Sequence, residues 1–103
     1  MGNLGVPPPD GYFTALSLCF EGLGQLHQAL AVRNRELELL HQQGRTISEV
    51  YCHRERCRLL LRSGQLTASD LDAARTAARR LRCPEPHLAE LDRLAGGDGL
   101  TGP

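Results

Sequence analysis

No proline occurs between Asp10 and Cys83, whereas Pro7, Pro8 and Pro9 precede that stretch and Pro84 and Pro86 follow it. A segment that keeps every backbone N–H, with no ring to block the preceding turn, is free to be helical throughout. It is filled mainly by Leu, Ala, Arg, Glu and Gln, which lose least on entering a helix, and β-branched side chains are few. The reading is all-α, and 103 residues limit the chain to one domain.

Hydrophobic spacing divides this stretch. Leu16, Leu23, Leu30 and Leu37 recur every seventh residue, and Cys19, Leu26, Arg33 and Leu40 lie three further on. Seven of these eight positions are apolar, with Arg33 the exception, which describes a long first helix from Thr14 to Gln43 packing along a narrow seam. Gly22 and Gly24 each weaken it by roughly 1 kcal/mol relative to Ala and admit a kink or break. Gly44 supplies a stop. Thr46 with Glu49 then reads as a capping box for a second helix, Ile47 to Arg62, which Ser63-Gly64 ends. Thr67 with Asp70 caps a third, with Leu66 stapled onto Leu71 and a face of Leu71, Ala74, Ala78 and Leu81. Pro84 stops that helix. Pro86 opens a fourth through Leu88, Leu91 and Leu94, closed by Gly96-Gly97. The expectation is a small helical bundle over residues 12–95, one long helix and three shorter ones, between flexible Pro/Gly-rich ends at 1–11 and 96–103.

Several classes are excluded early. No apolar run approaches the roughly 18 residues needed to cross a bilayer, so no membrane association is expected. The N-terminus has neither a basic nor an apolar signal region. Val6 stands where a myristoylation motif needs Ser or Thr. Four cysteines without a signal peptide suggest reduced thiols and a cytoplasmic or nuclear location.

All twelve basic residues are Arg, balanced by twelve acids, but the charge is segregated. The net values are −2 up to Gly44, +5 from Arg45 to Arg82 and −3 thereafter. Arg54, Arg58 and Arg62 share one helical stripe, and Arg75, Arg79 and Arg82 form a second. Such stripes suit an acidic protein surface or phosphates. The neutral total and the lack of aromatics among the arginines disfavour nucleic acid, which stays an alternative.

Chemistry-bearing constellations are sparse. His53 and Cys57 lie four apart, as do Cys83 and His87, and the four together have the donor types of a tetrahedral zinc site, though without a C-x2-C knuckle. Otherwise Cys57 and Cys83 are small packing residues. Gly22-Leu23-Gly24 lacks the third glycine and the preceding strand of a dinucleotide loop. No cofactor is implied. Residues Ile47 to Arg82 have the length of a tetratricopeptide repeat, yet Arg62 and Gln65 occupy that motif's Gly and Tyr positions, and no resemblance is claimed.

The sequence therefore points to a non-enzymatic helical interaction module, an adaptor, complex subunit or chaperone-like partner. Its partner would be another protein or a second copy, bound through a seam of Leu16, Leu23, Leu30 and Leu37 and an arginine face of Arg54, Arg58 and Arg62. The alternatives are a nucleic-acid-binding helical protein and a zinc-stapled bundle.

Overall fold

The computed structural model describes residues 11–96, so the expectations for the chain ends lie outside the described residues. Five α-helices follow one another: α1 Tyr12–Gly22, α2 Leu26–Gln42, α3 Thr46–Arg62, α4 Ala68–Ala78 and α5 Glu85–Ala95. No strand occurs among the described residues.

The expected long first helix is two helices. Gly24 takes a left-handed conformation (φ 77°) that a Cβ would disfavour, and the chain reverses there. Its N–H donates to the Glu21 carbonyl at 2.9 Å, and the Gln25 N–H to the Phe20 carbonyl at 2.8 Å, the pair of bonds that defines a Schellman stop. The same pair recurs at Gly44, with Arg45 donating to Leu40, and at Gly64, with Gln65 donating to Leu60. These three left-handed glycines are twenty residues apart. They cut the chain into helix-plus-turn units of similar length, each reversing on the last.

Two other boundaries differ from expectation. Helix α3 begins at Thr46, so the cap position falls to Arg45, whose side chain has no acceptor to offer the first amides; the expected Thr46–Glu49 box is not formed, and the Glu49 carboxylate lies 3.4 Å from His41 Nδ1. Helix α5 begins at Glu85 behind Pro84, and α4 ends at Ala78, before two looser turns at Arg80 and Leu81. The Thr67–Asp70 capping box is formed in full.

Packing is between neighbours. Helix α1 lies along α2, α2 along α3, and α3 also carries α4 and α5. The body measures 52 × 36 × 18 Å, a slab in place of a closed bundle. Its apolar interior is accordingly three small clusters strung along α3. Leu59 and Leu60 meet Ala29 and Leu30 of α2. Cys57 meets Leu71, Ala74 and Leu91, and Val50 meets Ala77 and Ala78. Alanine on α4 allows close approach but buries little area per residue.

Candidate functional site

Because α1 and α3 flank α2 with their backbones apart, a groove of about 640 Å³ remains between them. The first turns of α1, the last turns of α2 and the first half of α3 enclose it. Tyr12, Phe13 and Leu18 line one side, Tyr51 the other, and Leu39 and Leu40 the base. Tyr12, Leu18 and Tyr51 are each about half exposed.

One stretch of this groove is polar. Arg33, Glu36, Leu40 and Gln43 recur at three- and four-residue steps and so share one face of α2, and Ser48, Cys52 and Glu55 share one face of α3. Arg33 is only 4% exposed. Its Nη1 donates to Glu36 Oε1 at 2.9 Å and reaches Thr14 Oγ1 at 3.5 Å, the outer limit of a hydrogen bond. Its Nη2 lies 3.8 Å from Glu55, and its buried Nε has no partner. Cys52 Sγ sits 3.3 Å from the Arg33 carbonyl and 3.4 Å from Glu36 Oε1. Burial, reinforced by the Glu36 carboxylate, pushes this thiol far above its ordinary range. Cys52 is therefore a protonated hydrogen-bonding group and a poor nucleophile.

Away from the groove mouth, a second polar cluster ties its two walls together. Arg58 grips both oxygens of Glu21 at 2.8 Å, and Arg62 Nη1 reaches Oε2 at 2.6 Å. Arg58 also holds Glu55 at 2.8 Å. The hydrogen bond from Arg58, aided by Arg62 and opposed by burial, brings the Glu21 pKa down to about 2.

The residues singled out from sequence are thus divided between surface and interior. Leu30 is buried in the core, Leu16 and Leu37 are half-buried, and Leu23 stands 70% exposed at the break between α1 and α2. Arg58 and Arg62 are engaged by Glu21. Arg54 Nη1 lies 3.1 Å from His87 Nδ1, and its guanidinium stacks on the Tyr51 ring. Arg79, Arg80 and Arg82, in the segment that follows α4, have no acidic partner among the described residues, while Arg75 of the same expected stripe pairs with Asp92.

The four zinc candidates are not brought together. Cys57 is buried with its thiol toward the Asp70 carbonyl at 3.7 Å, and Cys83 is exposed. His87 is buried against Tyr51 and Arg54, while His53 is half-buried with Nδ1 unpartnered. Among the described residues no group of three or more His, Cys, Asp or Glu is placed to hold a metal ion.

The thiols give a direct check on this packing. Cys19 and Cys83 are exposed, Cys52 and Cys57 buried, and burial also raises the Cys57 pKa to about 11. Two thiols should react with Ellman's reagent in native protein and the other two only after denaturant. Fast release of more than two would contradict the burial of Cys52 and Cys57.

The fold and groove define a class, a neighbour-packed all-α protein with a concave face between α1 and α3. Comparisons with protein families, curated proteins and solved structures return no match. No helix of the described residues is long and apolar enough to cross a membrane.

Proposed function

We propose that this protein is a non-enzymatic interaction module that receives an apolar, helical segment of another protein in the groove between α1 and α3. The observation that carries this reading is the pairing of half-exposed Tyr12, Leu18 and Tyr51 with an internally balanced polar floor. Large side chains at a groove mouth gain most when a partner removes them from water. Arg33 is answered by Glu36 and Glu55, so the floor sets orientation and asks for no net charge from the ligand. A helix with anchors at i, i+4 and i+7 suits a trough flanked by two helices. The free thiols agree with a reducing compartment, cytoplasmic or nuclear.

A second reading, an acidic partner or nucleic acid, is favoured by Arg79, Arg80 and Arg82, which are near one another without an acidic partner among the described residues.

Selection of a random twelve-residue peptide library on the full chain separates the two. The expected winners carry aliphatic or aromatic anchors at helical spacing. Their binding should fall at least about tenfold in Tyr51→Ala or Leu39→Glu and hold in Arg79→Glu/Arg80→Glu. Winners that are acidic, bind less as salt rises and depend on Arg79 and Arg80 would overturn the groove reading in favour of the arginine patch.

A further inference from the structure

Helix α1 is an edge. Among the described residues its backbone lies along α2 alone, and it reaches toward α3 through the Glu21 carboxylate and through Phe20, which packs on the cluster that holds Leu59 and Leu60. Its outward arc consists of Tyr12, Ala15, Leu18, Cys19, Gly22 and Leu23, all exposed. From Gly11 to Gln25 the single charged residue is Glu21, and that carboxylate is turned inward onto Arg58 and Arg62. The end helix of a neighbour-packed array ordinarily presents a polar outer face to water. Here that face has no charge. The opposite edge behaves as the rule asks, with Asp72, Arg79, Arg80, Glu85, Asp92 and Arg93 exposed on α4, the following turn and α5.

We infer that the outward face of α1 is covered by the same face of a second copy of this chain, in a two-fold dimer. Charge points to that occupant. A two-fold interface sets each patch against itself, so any charged residue near its axis faces a like charge, and an uncharged patch avoids that cost. The shape agrees. At 100° per residue, Ala15, Cys19 and Gly22 form a low central row, with Leu18 on one flank and Tyr12 and Leu23 on the other. Antiparallel pairing about the middle of α1 brings Tyr12 over the partner subunit's Leu23 at both ends. It sets Ala15 beside the partner subunit's Cys19 at the centre, where small side chains let the helices approach to about 8 Å. The unlike opposite edge means the array closes after two copies and does not extend into a fibre.

An interface centred on one pair of three-turn helices lies at the small end for specific association, below about 1,200 Å², so the expected Kd is micromolar. Tyr12 and Leu18 border both this face and the groove, whereas Ala15, Cys19 and Leu23 do not line the groove, so variants at those three positions test the dimer apart from the groove reading.

The test is sedimentation of reduced, full-length protein from about 5 to about 200 µM, a range suited to a micromolar dimer. Wild type should pass from monomer to dimer, and Ala15→Arg and Leu23→Glu should each raise the dissociation constant at least about tenfold. Cross-linking with a short bismaleimide gives an independent readout that does not depend on altered folding. It should capture a covalent dimer through Cys19, lost in Cys19→Ser and kept in Cys83→Ser. A protein that stays monomeric across the range without a Cys19-dependent cross-link overturns the inference. So does a dimer indifferent to Ala15→Arg, or one captured only through Cys83, which would place the contact at the opposite edge.

Discussion

Replacing Arg33 by Met should lower the stability of the fold by about 3 kcal/mol at neutral pH, while Arg33→Met/Glu36→Met should return to within about 1 kcal/mol of the parent. The asymmetry comes from where the charges sit. The side chains of Arg33 and Glu36 are 5% and 16% exposed. Removing the guanidinium alone leaves the Glu36 carboxylate with little water and only the Cys52 thiol as a hydrogen-bond neighbour. Removing both charges replaces a buried pair by side chains of similar length that fill the same space without desolvation cost. For a domain of this size the single variant should melt roughly 12–24 °C lower. Thermal unfolding of parent, two single variants and the double variant closes the cycle. A double variant no better than Arg33→Met would mean that Arg33 acts through packing against Thr14 and α3, not through Glu36. The double variant also bears on function. It turns the groove floor apolar, so peptide binding should become less selective for orientation while the apolar anchors still contribute.

Much of the architecture is written in local chemistry, and what is not local is harder to read. Thr67 and Asp70 satisfy each other's backbone donors within three residues, so that helix start is visible in the chain. The face of α4 likewise follows from spacing, with Leu71, Ala74 and Ala78 buried. The break at Gly24 is local too, and its signal is the recurrence of glycine at 24, 44 and 64, which a search for seven-residue leucine spacing passes over. That break changes the fate of the leucines. Leu23 and Leu30 look equivalent on one continuous helix, but Leu23 sits at the turn and is exposed, while Leu30, on the next helix, is buried. Arg33 was legible as the single polar member of the seam, and it marks the groove floor. The arginine stripe was legible as a stripe, but its partner was not. Glu21 lies 37 residues from Arg58 and 41 from Arg62, and only the tertiary fold brings them together. Charge segregation along the chain therefore overstates the charge left free on the surface.

Glu21→Gln is expected to cost about 2 kcal/mol at pH 7 and progressively less as the pH falls. The folded-state pKa of about 2 lies well below the ordinary value of 4.5, so the ionised carboxylate stabilises the fold fully above about pH 4.5 and loses that contribution as the pH falls toward 2. The shift alone corresponds to about 3 kcal/mol, but the side chains of Arg58 and Arg62 are 37% and 56% exposed, and solvent screening reduces the net effect. Two histidines act at higher pH. Burial holds His53 and His87 below their ordinary value of 6.5, helped by nearby arginines and opposed at His53 by the Glu49 carboxylate, so the unfolded chain takes up their protons first and stability begins to fall below about pH 6.5. Wild type should thus lose stability in two phases, near the histidine range and again below 4.5. Glu21→Gln should keep the first phase and show a smaller second one, the remainder coming from Asp70, which, against the opposing effect of burial, its bonds to Thr67 and Arg56 hold below its ordinary value. Denaturant unfolding at a series of pH values measures both. Equal pH dependence in parent and variant would mean that Glu21 is not clamped in solution. The clamp also bears on the groove, because the Glu21 ion pairs are the polar tie between α1 and α3, whose backbones pack on α2 and not on each other. Amide exchange in α1 should therefore quicken in Glu21→Gln at pH 7 more than exchange in α3 and α4 does, and binding of an apolar helical peptide should weaken with it. Unchanged exchange in α1 would show that packing along α2 alone holds that wall in place.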